Sequence, residues 1–382
     1  MRTKSLVEYK KRFPEARNVM KIKAAVTHKA KAPFSYEYVD LDDPKEEEVL
    51  VKIVACGICH SDEHSRQGLS VKFPIVLGHE GAGIVEKVGS MVTSVQQGDY
   101  VVLSIPFCDE CDFCAQKEYM YCDRKWELAT GGAMKDGTYR ITQDGHPINL
   151  FHGQSSFAEY SVCHYSNAVK IDKEYDLALA SSLGCGIQTG AGTVLEYFRA
   201  EPGSTIAIFG CGCLGSAAIM GAKIAGCKTI IGVDVVDSKL YMAKELGATH
   251  TINSKKVEDI ASEIMKITDG KGVKFGVDTT GNQDIVTAAI NSLAIHGELC
   301  VPAVMSEVKV PHLPMMLRNL KISSCGVGNA NPHTFIPLML KYYKEGKFPF
   351  NKIISFYRFE EIEKAIEDMT NGTAVKPVLR IG

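Results

Sequence analysis

The 382-residue chain lacks a strong excess of either charge: 43 lysines and arginines face 45 acids, a formal net charge of -2. Such a balance offers no electrostatic footprint for nucleic acid or for an anionic membrane face. The opening residues, MRTKSLVEYKKRF, lack an apolar core, so no secretory leader is expected, and Glu8 and Glu15 argue against a transit peptide. Long hydrophobic runs are also missing. The nearest, TIAIFGCGCLGSAAIMGA from Thr205 to Ala222, has 18 residues without a charge but four glycines. It reads as a strand, a tight turn and a buried helix rather than a bilayer span. There is no internal repeat and no low-complexity tract. Cysteine, by contrast, is plentiful. Thirteen in a long chain, an odd number, are expected to be reduced thiols in a cytoplasmic setting, with metal binding favoured over disulfides.

The organisation changes along the chain. Residues 1–19 are basic and polar, and are expected to form a poorly ordered extension or a surface helix. From residue 20 to about 170, short runs such as EEVLVKIVACG, GAGIVEKVGS and GDYVVLSIP are broken by Gly, Asp and Pro, which predicts a barrel-like or sandwich-like β unit. LALASSLGCGIQTGAGTVLEYF then looks helical, and strands alternate with helices from TIAIFG to GELCVPAV. That alternation predicts a doubly wound parallel sheet in an α/β protein. The tail from about 328 returns to mixed character, with a helix in PHTFIPLMLKYYKEG and a last strand in KPVLRI.

GCGCLG, residues 210–215, is a G-x-G-x-x-G placed between a strand and a helix, and Asp234 ends the next strand 19 residues beyond Gly215. In that context Gly210 allows the turn, Gly212 lets a pyrophosphate approach, and Gly215 lets the helix pack on the sheet. The helix N-terminus supplies free N–H groups to the phosphates. Asp234 suits two ribose hydroxyls and would repel a 2′-phosphate, so NAD is expected rather than NADP, with Lys239 reinforcing the ribose contact. Leu214 belongs to the same cofactor-binding turn.

Two metal sites are readable to different degrees. Cys108-x2-Cys111-x2-Cys114-x7-Cys122 can close a tetrahedron around a structural Zn²⁺. A ferredoxin run ends x3-Cys-Pro, whereas here the last gap is seven and Asp123 follows, so an iron–sulfur cluster fits less well. CGICHSDEH, residues 56–64, fits a c-type haem attachment, a redox pair or a metal ligand, and does not decide among them alone. Haem attachment suits exported proteins, which weakens that reading. Cys59, His79 in GHEGAG and Cys185 in GCGIQTG together make a Cys/His/Cys set with an open fourth place, the pattern of a catalytic zinc. No second histidine follows His79 four places on, so a metalloprotease helix is excluded.

At this point the chain resembles the zinc-dependent medium-chain alcohol dehydrogenases along nearly all of residues 20–382. The matching pieces are CGICHSDEH, FPIVLGHEGAGIVEKVG, GDYVV, the four-cysteine lobe, GQSSFAEY, GCGIQTGAG, GCGCLG with Asp234, and KPVLRIG. Their tone is most similar to the aryl (benzyl) alcohol branch. The resemblance implies a GroES-like β-barrel catalytic domain (20–186 and 328–382, with a zinc lobe at 105–123) and a Rossmann domain (187–327). It makes Cys59, His79 and Cys185 the catalytic zinc ligands, with Glu80 a carboxylate behind the metal and Asp62 an acid behind His79. Ser61 falls at the hydroxyl that meets the reacting alcohol and His64 at the outer end of a proton relay. His60, Thr189 and Lys376 fall at cofactor-contacting positions. Two Zn²⁺ per subunit, NAD, a small alcohol or aldehyde substrate and a homodimer or homotetramer are implied, with neither nucleic acid nor membrane as partner.

Primary aryl or allylic alcohols are the expected substrates. Ser104, four residues before Cys108, stands where many relatives carry an aromatic, and is expected to widen the pocket. A glutathione-dependent formaldehyde dehydrogenase is the alternative within the fold. Polyol relatives usually lack the third ligand seen here as Cys185. A zinc-bearing sensor with a vestigial nucleotide fold would need a broken ligand set.

Overall fold

The computed structural model describes residues 19–382. The expected extension lies outside the described residues except for Val19, which opens the first strand, Val19–Thr27. Three sheets organise the chain. One runs Ile75–Val76, Val19–Thr27, Ser35–Asp42, Ile141–Gln143, His146–Ile148, with antiparallel pairing. A second runs Ala168–Ile171, Tyr100–Leu103, Gly81–Val88, Glu48–Gly57, Lys376–Arg380, Ile354–Arg358, and Tyr160–His164 also pairs with Glu48–Gly57. The last strand of the chain thus returns to the β-rich unit, its Leu379 opposite Cys56. The expected barrel-like unit is built this way, around a core that includes Ile22, Val26, Val39, Leu77 and Phe157. The helix Ile362–Thr370 closes it, burying Ile362, Ala365, Ile366 and Met369 on one stripe of helical period.

The third sheet is wholly parallel: His250–Asn253, Thr229–Asp234, Thr205–Phe209, Val273–Asp278, Leu293–Cys300, Lys321–Ser323. Counted from Thr205–Phe209, the strand order is 3-2-1-4-5-6, with the switch point where dinucleotides bind. Its central strand TIAIF is buried at four of five positions, as expected of a strand covered on both faces.

One expectation needs correction. The run from Leu177 to Phe198 is not one helix. It divides into Leu177–Ser181, a 3₁₀ turn Ser182–Gly184, Gly186–Gly192 and a π turn Thr193–Tyr197. Cys185 itself has φ -144° and ψ -89°, outside the helical region. The break turns the Cys185 thiol out at a helix start instead of leaving it within a helical core. Gly186–Gly192 then packs on Cys213–Ile224. At Gly190 a methyl would strike the Leu214 carbonyl, so only glycine permits this approach.

Candidate active site

CGICHSDEH forms the end of a strand and the start of the helix His60–Arg66, with Cys59 as its N-cap. Asp62, fully buried, ties three segments together. One oxygen accepts from the Cys59 N–H at 3.0 Å; the other meets the Gly78 N–H at 3.0 Å and His79 Nδ1 at 2.9 Å. With Nδ1 engaged, His79 presents Nε2 inward, as a ligating imidazole must. Nε2 is buried and has no hydrogen-bond partner among the described residues. The donor atoms of Cys59, His79, Glu80 and Cys185 all lie within 4.8 Å of one another. The Cys185 thiol bonds to Cys59, drawing Cys59 well below the usual thiol range and lifting Cys185 well above it. One proton is shared where a divalent cation fits, and metal binding releases such protons. An orphaned buried nitrogen beside two sulfurs therefore suits a zinc ion.

Behind this cluster Glu80 pairs with Lys376, whose Nζ also donates to the Ile58 carbonyl at 3.1 Å. Burial opposes the lysine's charge, yet the Glu80 carboxylate holds its pKa above the usual value. Lys376 is 2 % exposed: its partner is Glu80, a pairing no motif announces. Ser61 Oγ lies 3.8 Å from Cys59 Sγ, and His64 is exposed one turn along the same helix. Gln154, of the GQSSFAEY run, braces the His79 loop: its amide nitrogen donates to the His79 carbonyl at 2.9 Å and its oxygen accepts from Gly81 N–H and Ser156 Oγ. Ser104 has a structural partner of its own. It is buried, and its hydroxyl donates to the Gly184 carbonyl at 2.9 Å. It braces the segment before Cys185.

The dinucleotide turn adjoins the cluster directly. Gly186, beside Cys185, packs against Cys213 at the start of the helix Cys213–Ile224. Gly210 has φ +85°, a conformation open to glycine. Space above Gly212 is clear, a cradle that a Cβ would begin to fill, and Gly215 sits against the Gly210 carbonyl. Leu214 is half-buried on the same turn. Asp234 accepts from Cys211 N–H at 2.7 Å, Val235 N–H at 2.7 Å and Val236 N–H at 2.9 Å, which anchors its carboxylate at the strand end. Thr189 Oγ1 donates to the Cys185 carbonyl at 2.9 Å. Desolvation, with the like charges of His64, Lys376 and Lys239, pushes His60 below its usual pKa; these basic groups share one neighbourhood.

The second cluster is local. Cys108, Cys111, Cys114 and Cys122 also gather their sulfurs within 4.8 Å. Backbone N–H groups of Cys108 and Glu110 point at Cys122 and Cys108 sulfurs, at 3.3 and 3.5 Å. The apolar core of this lobe is little more than Phe107, Leu128, Tyr119 and the cysteines themselves.

Two nearby residues had no sequence signal. His152 has φ +49°, and its ring lies over His79 at 4.7 Å between centroids. Burial and the His79 charge hold it well below the ordinary histidine value, hence neutral. Lys125 is buried, and burial pushes its ammonium down to about 8, partly offset by the nearby Cys185 and Cys122 sulfurs. In the sequence each is one polar residue among many, since nothing in spacing marks burial beside a distant cluster.

With this geometry in view, comparison with known proteins is specific. Residues 45–173 match the alcohol dehydrogenase GroES-like domain, and residues 213–344 match the zinc-binding dehydrogenase domain. The chain is 36% identical over 370 residues to the geraniol dehydrogenase of Castellaniella defragrans, covering 96% of this chain and 99% of that one. The crystal structure of an alcohol dehydrogenase zinc-binding domain protein from Burkholderia ambifaria superposes with a TM-score of 0.93 at 40% identity, covering 96% of this chain and 100% of that one. Benzyl alcohol dehydrogenase from Acinetobacter calcoaceticus gives 0.91 at 37% identity, covering 95% and 100%. The parallel sheet, the barrel-like unit, the paired sulfur clusters and these likenesses along nearly the whole length agree: the chain belongs to the zinc-dependent medium-chain alcohol dehydrogenases.

Proposed function

We propose that this alcohol dehydrogenase interconverts primary aryl or allylic alcohols and their aldehydes with NAD, holding two zinc ions per subunit. The observation that carries the reading is the orphaned His79 Nε2 among Cys59, Cys185 and Glu80, adjoining the Gly210–Gly215 turn. Cys59, His79 and Cys185 would hold a zinc ion that would supply acidification of an alcohol's hydroxyl, and the Gly210–Gly215 turn would hold a dinucleotide that would supply hydride acceptance. Ser61, beside Cys59, is the group that takes the departing proton, and exposed His64 on the same helix face hands it to water. Asp62 keeps His79 in its ligating tautomer. Asp234 supports NAD over NADP, since a second anion there meets a carboxylate. His60, Thr189, Lys239 and Lys376 line the cofactor side in this reading, Lys376 acting through its pair with Glu80.

The substrate class rests on the company the chain keeps: an allylic alcohol is named in one relative and a benzylic alcohol in another. Division at 186/187 and 327/328 fits the three sheets. A homodimer or homotetramer is supported by exposed Ile295, Val304, Leu313, Met316 and Leu317 beside the outer parallel strands. No helix among the described residues is long and apolar enough to cross a membrane, and all thirteen cysteines are free, which supports a cytoplasmic enzyme.

The test is an NADH-formation assay with ethanol, benzyl alcohol and geraniol, using NAD and NADP, with and without glutathione. Higher kcat/KM for benzyl alcohol and geraniol with NAD is expected. Preference for ethanol or NADP, or formaldehyde oxidation that requires glutathione, overturns the reading.

A further inference from the structure

Lys125 is a buried cation that neither metal cluster uses as a ligand. It is 6 % exposed and opens the short helix Lys125–Thr130. Among the described residues no carboxylate pairs with it. Nζ meets the Met120 sulfur at 2.6 Å and lies 5.3 Å from the centre of the Trp126 ring. An ammonium carries three donors and a thioether is a weak acceptor, so its hydrogen-bonding capacity is largely unmet. Burying a charge in that state is costly unless something supplies the missing acceptor.

Its position points to what does. The charge of Lys125 is felt at Cys185 and at His152, whose ring covers His79. Met120, its sulfur neighbour, packs against Gly326, beyond the last parallel strand. The ammonium therefore flanks the proposed catalytic cluster where the β-rich unit meets the parallel-sheet unit, the kind of junction at which small ligands bind.

Resting on the aryl-alcohol reading above, we propose that Lys125 is a substrate-recognition residue that receives an oxygen acceptor, best a carboxylate, carried on the ring of the alcohol away from the carbinol. Such a charge-assisted contact is the acceptor the ammonium lacks.

Trp126 is the single tryptophan of the chain, so its emission reports on the surroundings of Lys125. The zinc-loaded protein is titrated, without dinucleotide, with 4-(hydroxymethyl)benzoate and with benzyl alcohol. The carboxylate-bearing alcohol is expected to bind about tenfold tighter or more, as a charged hydrogen bond implies. Lys125→Met should bring that ratio close to unity, and Lys125→Arg should keep much of it. Lys125→Gln, which retains a donor without the charge, is the second variant should the methionine form not fold, and it too should lose most of the preference. A native ratio near unity, or a ratio that loss of the charge leaves intact, overturns the proposal. An intact ratio accompanied by zinc loss would assign the cation to the four-cysteine lobe instead. Turnover of benzyl alcohol without the binding preference removes Lys125 and leaves the aryl-alcohol reading standing. A Lys125-dependent preference without turnover does the reverse.

Discussion

The four-cysteine lobe and the Cys59–His79–Glu80–Cys185 cluster each gather four donor atoms within the same 4.8 Å, yet they are built in opposite ways. The lobe takes all its donors from residues 108–122, and has almost no other core. The other cluster collects donors from a strand end, a loop and a broken helix. It wires them to Asp62, Gln154 and the Glu80–Lys376 pair, inside a unit with its own apolar core. Four thiolates close a tetrahedron and leave no position for chemistry; two thiolates and an imidazole leave one. In the first case metal should mean folding, in the second turnover.

The contrast is broken first by removing a donor from each cluster. Cys59→Ser should cost roughly a thousandfold or more in kcat, because acidification of the alcohol is lost. The fold should persist, and elemental analysis should find one zinc per subunit. Unchanged turnover rejects the ligand assignment. Cys114→Ser should show the converse, a large loss of thermal stability, since structural zinc binding is worth on the order of 10 kcal/mol in small domains. A melting curve matching the native one rejects a structural role. Asp62→Asn should weaken retention of the catalytic metal by about 10–100-fold, the usual cost of losing the group that orients a ligating imidazole; titration with a chelator measures it. Asp234→Gly should erode the NAD preference by about tenfold, from the loss of charged hydrogen bonds, and an unaltered NAD to NADP ratio of kcat/KM moves the ribose contact elsewhere.

The smallest effect is in pH. Burial opposes ionisation of Cys111, but the backbone N–H groups of Asp123 and Cys114 bring its thiol down to about 7. An acid with a lowered pKa is charged above that value and neutral below it. Zinc capture by the lobe should therefore be favoured above pH 7 and weaken as pH falls through it, whereas a flat binding curve from pH 6 to 8 would sink that assignment.

Legibility followed the same division. GCGCLG with Asp234 and the Cys108–Cys122 spacing were legible because a turn of the phosphate-binding pattern and a set of four closely spaced thiols are each completed within short stretches. The parallel sheet was legible from alternation, since a strand covered on both faces must be apolar throughout. The helix expected from Leu177 to Phe198 was drawn too long, because its apolar pattern continues through Cys185, which lies outside helical geometry. That Ser104 also braces another segment was not legible, since a carbonyl 80 residues away completes its hydrogen bond.

The alternation of strands and helices, the fold class and the close grouping of four cysteines were thus decided by sequence alone, because periodicity and spacing act over neighbours in the chain. Only the folded chain decided that Lys376 pairs with Glu80, that His152 covers His79, and that Lys125 is buried with no carboxylate partner among the described residues. Desolvation and charge pairing depend on which remote segments are brought together, and no local pattern encodes that.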